Sequence, residues 1–138
     1  MSTTFSDISS ALDSRLSTLT GSTPVSWQNT VYKPTKTGMY LRPTNLAGPT
    51  TQAGLGTTGI DQYLGLYQID IFAQAGKGRN AAEAKADAVA NHFKRGTDLL
   101  YNGTTVRLGD VSRTNGTIID DRFLISVTIN YMAHVAPR

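Results

Sequence analysis

The chain has 138 residues, 39% of them hydrophobic and 17% charged, a size and balance that fit one domain able to bury roughly 68% of its unfolded surface. It contains no cysteine and only two histidines, His92 and His134, which excludes a disulfide framework, a thiolate zinc site and a cysteine nucleophile, and leaves any metal site to carboxylates. The formal charge of +3 comes wholly from residues 77–138, with nine basic and six acidic side chains against four and four before them, a bias far short of the dense basic stripe of a dedicated nucleic-acid binder.

The start MSTTFSDISS lacks the basic region and apolar run of a signal peptide, and no stretch reaches the eighteen apolar residues of a membrane helix, so a soluble intracellular product is expected. Phe5, Ile8, Leu12, Leu16 and Leu19 recur at steps of three and four, which predicts a helix over about 5–19 with Thr4 as its N-cap and Gly21 and Pro24 beyond its end. Val25-Ser26-Trp27 is too short to classify, and Pro34 limits any strand there to an edge. Met39–Leu46 alternates loosely and reads as a strand in which Pro43 again demands an edge or a bulge.

From Pro43 to Ile60 no residue is charged. A structureless stretch of this length is either a binding loop or a disordered segment. Leu46, Leu55 and Ile60 within it favour a segment that packs on a partner over a solvated surface loop. Its candidate interaction residues are Thr50, Gly54, Leu55, Gly56, Thr57, Gly59 and Ile60.

Tyr63–Ala73 is the clearest strand, with Tyr63, Gly65, Tyr67, Ile69, Ile71 and Ala73 on one face. Near the C-terminus Phe123, Ile125, Val127, Ile129 and Tyr131 repeat the pattern. Between them Asn80 and Glu83 resemble a capping box, and Ala82, Ala86, Val89, Ala90 and Phe93 form an apolar stripe, so a helix over about 80–94 is expected. Asn102-Gly103 predicts a two-residue hairpin turn joining Thr97–Tyr101 to Thr104–Ser112. Two strands with one apolar face each imply a mostly antiparallel sheet with two helices packed on one face, an α+β fold, plus the long glycine/threonine-rich loop at 43–60. Ile69, Ile71, Phe93, Ile125 and Val127 are its expected core.

The motifs carry little chemistry. Gly54-Leu55-Gly56-Thr57-Thr58-Gly59 spells G-x-G-x-x-G, but a dinucleotide site needs it between a strand and a helix and here it leads into a strand; no cofactor is expected. Asp120 and Asp121 are adjacent and would point to opposite faces of a strand, which makes them a turn edge. His92 beside the apolar stripe reads as a hydrogen-bonded structural residue, and His134 as part of a frayed tail. Lys77, Arg79, Arg107 and Arg113 are candidates for weak contact with DNA or a partner, their field partly cancelled by Asp87, Asp98, Asp110 and Asp120. No catalytic or metal site follows, so the chain reads as a non-enzyme.

The run GLYQIDIFAQAGKG from Gly65 to Gly78, the alanine-rich segment with Ala86-Asp87, and Phe93-Lys94-Arg95-Gly96-Thr97 resemble the tail terminator-like proteins of long-tailed, siphovirus-type bacteriophages. The resemblance extends to the N-terminal helix, the Trp27 segment, Tyr40–Thr44 and the final strand, covering almost the whole chain as one domain, 1–138. It implies a structural virion protein of the head-proximal tail, assembled in the host cytoplasm, that forms a homohexameric ring, caps the tail tube, stops its polymerisation and joins the tail to the head connector. The implied partners are its own copies, the tail tube protein, the connector or stopper protein and the tape measure protein, with DNA only in passage and no membrane. Another neck component, such as a head-completion, stopper or tube-like protein, and a small nucleotide-binding enzyme remain as alternatives. A head-to-tail ring requires two chemically distinct sides on each subunit.

Overall fold

A computed structural model of the chain describes residues 4–19, 23–28, 38–52, 61–76, 78–119 and 122–135. In chain order the elements are α1 (Thr4–Ser17), β1 (Tyr40–Gln52), β2 (Asp61–Gln74), α2 (Asn80–His92), β3 (Asp98–Tyr101), β4 (Thr104–Arg113), β5 (Thr117–Ile119) and β6 (Arg122–Val135). The strands form a single sheet in the order β1-β2-β6-β4-β3, with β5 beside β6. All the strand pairings are antiparallel, and both helices pack on one face, so the α+β architecture expected from the strand patterns is the one formed.

The centre of the sheet is the long pairing of β2 with β6, in register from Asp61 opposite Val135 to Gln74 opposite Arg122. Because side chains alternate along a strand, this register stacks the two apolar faces as one wall. Tyr63, Tyr67, Ile69, Ile71, Ala73, Ile125, Val127, Ile129 and Tyr131 are all buried in it, while Phe123 is partly buried at its end. Gly65 interrupts the wall for a reason: it lies directly opposite Tyr131, and a Cβ there would overlap the phenol. The tyrosine fills the space that a side chain at 65 would occupy.

The helices supply the other half of the core. From α1 come Ile8, Ala11, Leu12 and Leu16, and from α2 and the residue after it Ala82, Ala86, Val89 and Phe93, all buried. Alanine at two of these positions lets α2 lie close to β6 and β2. Phe5 is half exposed and meets Tyr63 edge-on at 5.4 Å. The helix expected to 19 ends at Ser17, and its last turn tightens, Thr18 N–H donating to Arg15 O at 3.2 Å and Leu19 N–H to Leu16 O at 3.0 Å.

The capping box expected at Asn80 and Glu83 does not form. Arg79 is the N-cap and makes no side-chain cap bond, so Glu83 falls at the fourth helical position, one too far along to reach back to the cap amide. It pairs instead with Arg79 at 3.3 Å. The Asn102-Gly103 turn is as expected: φ is 51° and 84° at its two residues, the left-handed pair that a tight hairpin requires.

The largest revision concerns the uncharged stretch. Residues 43–52 are not loop but the second part of β1, which pairs with β2 from Tyr40–Phe72 to Gln52–Asp61 with a register shift between Ala47 and Thr50. The prolines concealed this strand, and both are compatible with it because β1 is an edge strand and Pro49 sits in the bulge. Gly54, Leu55, Gly56, Thr57, Gly59 and Ile60 lie outside the described residues. The segment Val25-Ser26-Trp27, too short to classify from sequence, contributes an isolated parallel bridge between Val25 and Leu41.

Candidate functional site

The sheet face opposite the helices is arranged in rows across the strands. At one end Tyr40 of β1 stacks on Phe72 of β2, with ring centroids 4.7 Å apart and planes at 11°. Arg42 lies over the Phe72 ring at 4.8 Å and Arg122 over the Tyr40 ring at 5.3 Å, so two guanidinium groups flank the aromatic pair. The next row centres on Asp70, which is only 4% exposed. Its carboxylate accepts from Ser126 Oγ at 2.6 Å, Gln68 Nε2 at 2.9 Å and Arg42 Nη2 at 2.9 Å. Thr44, Gln68, Thr128 and Ser112 then form an uncharged row. Beyond them Leu46, Leu64 and Leu66 stand exposed.

The sheet's two outer edges differ. On β1, Leu41 N–H donates to Pro24 O at 3.0 Å and Leu41 O accepts from Ser26 N–H at 2.7 Å. Pro43 has no N–H, and the Asn45 amide donates to Gln28 Oε1 at 3.2 Å. This edge is therefore covered or donor-free from 41 to 45. On β3 the Thr97 carbonyl accepts from Leu108 N–H at 2.9 Å, which by the alternation of an antiparallel ladder turns the backbone groups of Asp98 and Leu100 outward. Leu100 is 73% exposed.

Of the proposed basic contacts, Arg79 and Arg113 come together at the start of α2, both on Glu83, at 3.3 and 3.7 Å. Arg107 is remote from them on the sheet, held by Asp98 at 2.9 and 3.2 Å. The hydrogen bonds of that guanidinium hold the exposed Asp98 carboxyl below the usual carboxylate range. Lys77, Asp120 and Asp121 lie outside the described residues. Thr50 is exposed in β1 opposite Tyr63.

His92 is a structural tie. Its Nε2 lies 2.7 Å from Arg15 O and 2.8 Å from Thr18 Oγ1, and Arg15 Nε donates to His92 O at 2.9 Å, joining the ends of the two helices. His134 is not in a frayed tail but in β6 opposite Gln62, because β2 pairs β6 over its full length.

A second buried tie joins α1 to β2: Tyr67 Oη donates to Asp13 Oδ1 at 2.6 Å. Burial raises the Asp13 carboxyl above its ordinary 3.8, the Tyr67 bond offsetting this only in part, and burial first, then the Asp13 partner, pushes the phenol up. A carboxyl whose folded pKa lies above its unfolded one binds its proton more tightly when folded. Its contribution is therefore present below 3.8 and lost as pH rises through the raised folded value. Asp13→Asn, which keeps the acceptor oxygen and removes the charge, should be at least as stable as the parent at pH 7, with the gap narrowing on acidification. Urea midpoints across that range check this, and a variant weaker at pH 7 and unchanged in acid contradicts it.

The family described as "Phage tail terminator protein" matches residues 7–131. The chain belongs to the phage tail terminator family. Its match spans α1 to the middle of β6 and so takes in every layer of the fold. Eight solved chains match as well; one is 25% identical with a TM-score of 0.78, covering 99% of this terminator-family chain and all of its own. No curated protein matches it. The family assignment makes the protein a structural component of the phage tail in the virion, and directs attention from pockets to the sheet edges and the exposed face.

Proposed function

We propose that the protein assembles into a closed six-membered ring on the last ring of the tail tube, stops tube growth, and offers its other face to the connector or stopper protein at the head. The observation that carries this reading is the family match over residues 7–131. The unlike sheet edges support it, since a head-to-tail contact needs two different complementary patches, and unlike surfaces close into a ring when the rotation between copies allows. The charge pattern fits a channel that DNA only passes: the described candidates Arg79, Arg107 and Arg113 each hold a carboxylate, so their pull on phosphate is weak and salt-sensitive.

The connection between β1 and β2 is the candidate contact with tube or neighbour, together with Thr50 beside it. Deleting Ala53–Thr58 should leave a folded subunit that no longer caps tubes. Electron-microscopy class averages of the protein alone and with purified tail tubes read this out: six-fold rings on tube ends for the parent, and uncapped, overgrown tubes with the deletion. Full capping by the deletion variant removes the segment from the proposal, and a monomeric parent that leaves tube ends bare overturns the ring itself.

A further inference from the structure

We infer that the helix-free face of the sheet is covered by the helix side of the next copy, so that subunits stack front to back around the ring. This rests on the ring proposed above and names the contact between its copies.

The uncovered face is large and rich in apolar side chains. At a rise of about 3.3 Å per residue and a spacing of about 4.8 Å between strands, the strands lay out roughly 900 Å² of face, above the roughly 800 Å² per partner that a stable interface takes. An antiparallel sheet that faces water ordinarily presents polar side chains there. Here Leu46, Leu64, Leu66, Leu100 and Ile119, five of the eight large apolar side chains exposed among the described residues, all point to this face. Leu46 is the direct partner of Leu66, and Leu64 that of Met132, so these side chains adjoin in one patch. The charges of the face are answered within it. Arg42 is held by Asp70 and Arg107 by Asp98, both at 2.9 Å, and Arg122 lies over the Tyr40 ring and donates to the Gly38 carbonyl. Apolar side chains among neutralised charges are the composition of the buried centre of an interface.

The occupant is the other side of the same subunit. Ten residues of α1 and α2 are exposed, and Asp87 alone among them is charged, where a solvated surface carries about 25–35% charged residues. The others are Phe5 and short serines, asparagines and alanines, which let a sheet come close along both helices. The signs also match. The sheet face carries three guanidinium groups against two carboxylates, one of which, Asp70, is buried, while the Arg42 and Arg107 side chains are 52% and 62% exposed. A weakly basic face thus meets the one exposed acid of the helix side, which makes no ion pair among the described residues. Stacking in this way gives the sheet helices on both faces, a layering that buries both. Front and back are unlike, so the contact repeats from copy to copy until the rotation between them closes it.

The chain lacks cysteine, so two introduced thiols are the only ones present. A chain with Leu66→Cys on the sheet face and Ala88→Cys on the helix side is assembled on purified tail tubes and treated with a bismaleimide. The sheet and α2 separate the two thiols of one chain, so a link joins different copies. The expected result is a ladder of linked chains ending at the full ring, while either single-cysteine chain stays unlinked. Two-chain bands from Leu66→Cys alone mean face-to-face pairing and overturn the inference. The second measurement is tube capping by Ala88→Glu and Leu46→Glu, both at exposed positions, one on each side. Each should keep the parental thermal midpoint and cap on the order of tenfold less well, because an unpaired charge in an interface must be desolvated. Parental rings on tube ends with no ladder, or full capping by either glutamate variant, overturn this inference and leave the ring standing. Absence of rings with the parent overturns both.

Discussion

Replacing Ile125 by alanine should destabilise the protein by about 2–5 kcal/mol, the range for a core aliphatic cut back to a methyl group. Ile125 is fully buried on β6 directly opposite Ile71, in the central pair of strands with the helices over it. The space left by the missing carbons is walled by strands on both sides, so it collapses poorly and the cost should fall in the upper part of that range. The measurement is the denaturant midpoint at unchanged slope, which separates lost stability from altered compactness. A loss below about 0.5 kcal/mol, typical of surface positions, would show that the face is not the core.

The second large effect is expected at Asp70. Asp70→Ala removes an acceptor shared by Ser126, Gln68 and Arg42. Ser126 is itself buried, and a buried donor left without a partner costs about 1–3 kcal/mol. Gln68 is only half-buried and can turn to water. With the lost charge-assisted bonds included, a total on the order of 2–4 kcal/mol is expected. Arg42→Ala should cost much less, because the Arg42 side chain is 52% exposed, Asp70 keeps its other two donors, and exposed ion pairs contribute about 0–1 kcal/mol. Thermal or urea unfolding of the two variants side by side tests the ordering. Equal losses would mean that the ion pair, and not the buried hydroxyl and amide bonds, holds the row together.

These two positions also mark where sequence and structure part. Ile125 was readable in advance: strict alternation from Phe123 to Tyr131 puts it on an apolar face whatever lies opposite, and Ile69, Ile71, Phe93 and Val127, expected with it in the core, are likewise buried. The same local logic fixed the alanine stripe of α2, the left-handed pair Asn102-Gly103 and the edge position demanded by Pro43, each set by the geometry of one element. In the sequence Asp70 is only a charge within the strand Tyr63–Ala73, off its apolar face. Its role depends on Arg42, 28 residues away, and Ser126, 56 residues away, which only strand register brings beside it. The Tyr67–Asp13 bond and the His92–Arg15 tie span 54 and 77 residues and left no periodic trace. The part of β1 beyond Leu46, at 47–52, was hidden for the opposite reason: Gly48 and Pro49 argue locally against a strand, and the pairing with β2 together with a bulge overrides them. Composition and period thus determined which faces are apolar and where the chain turns, because those depend on neighbours along the chain. Which polar groups meet, and which sheet edge is left open, were decided by the tertiary structure, because they depend on residues that only the completed sheet places side by side.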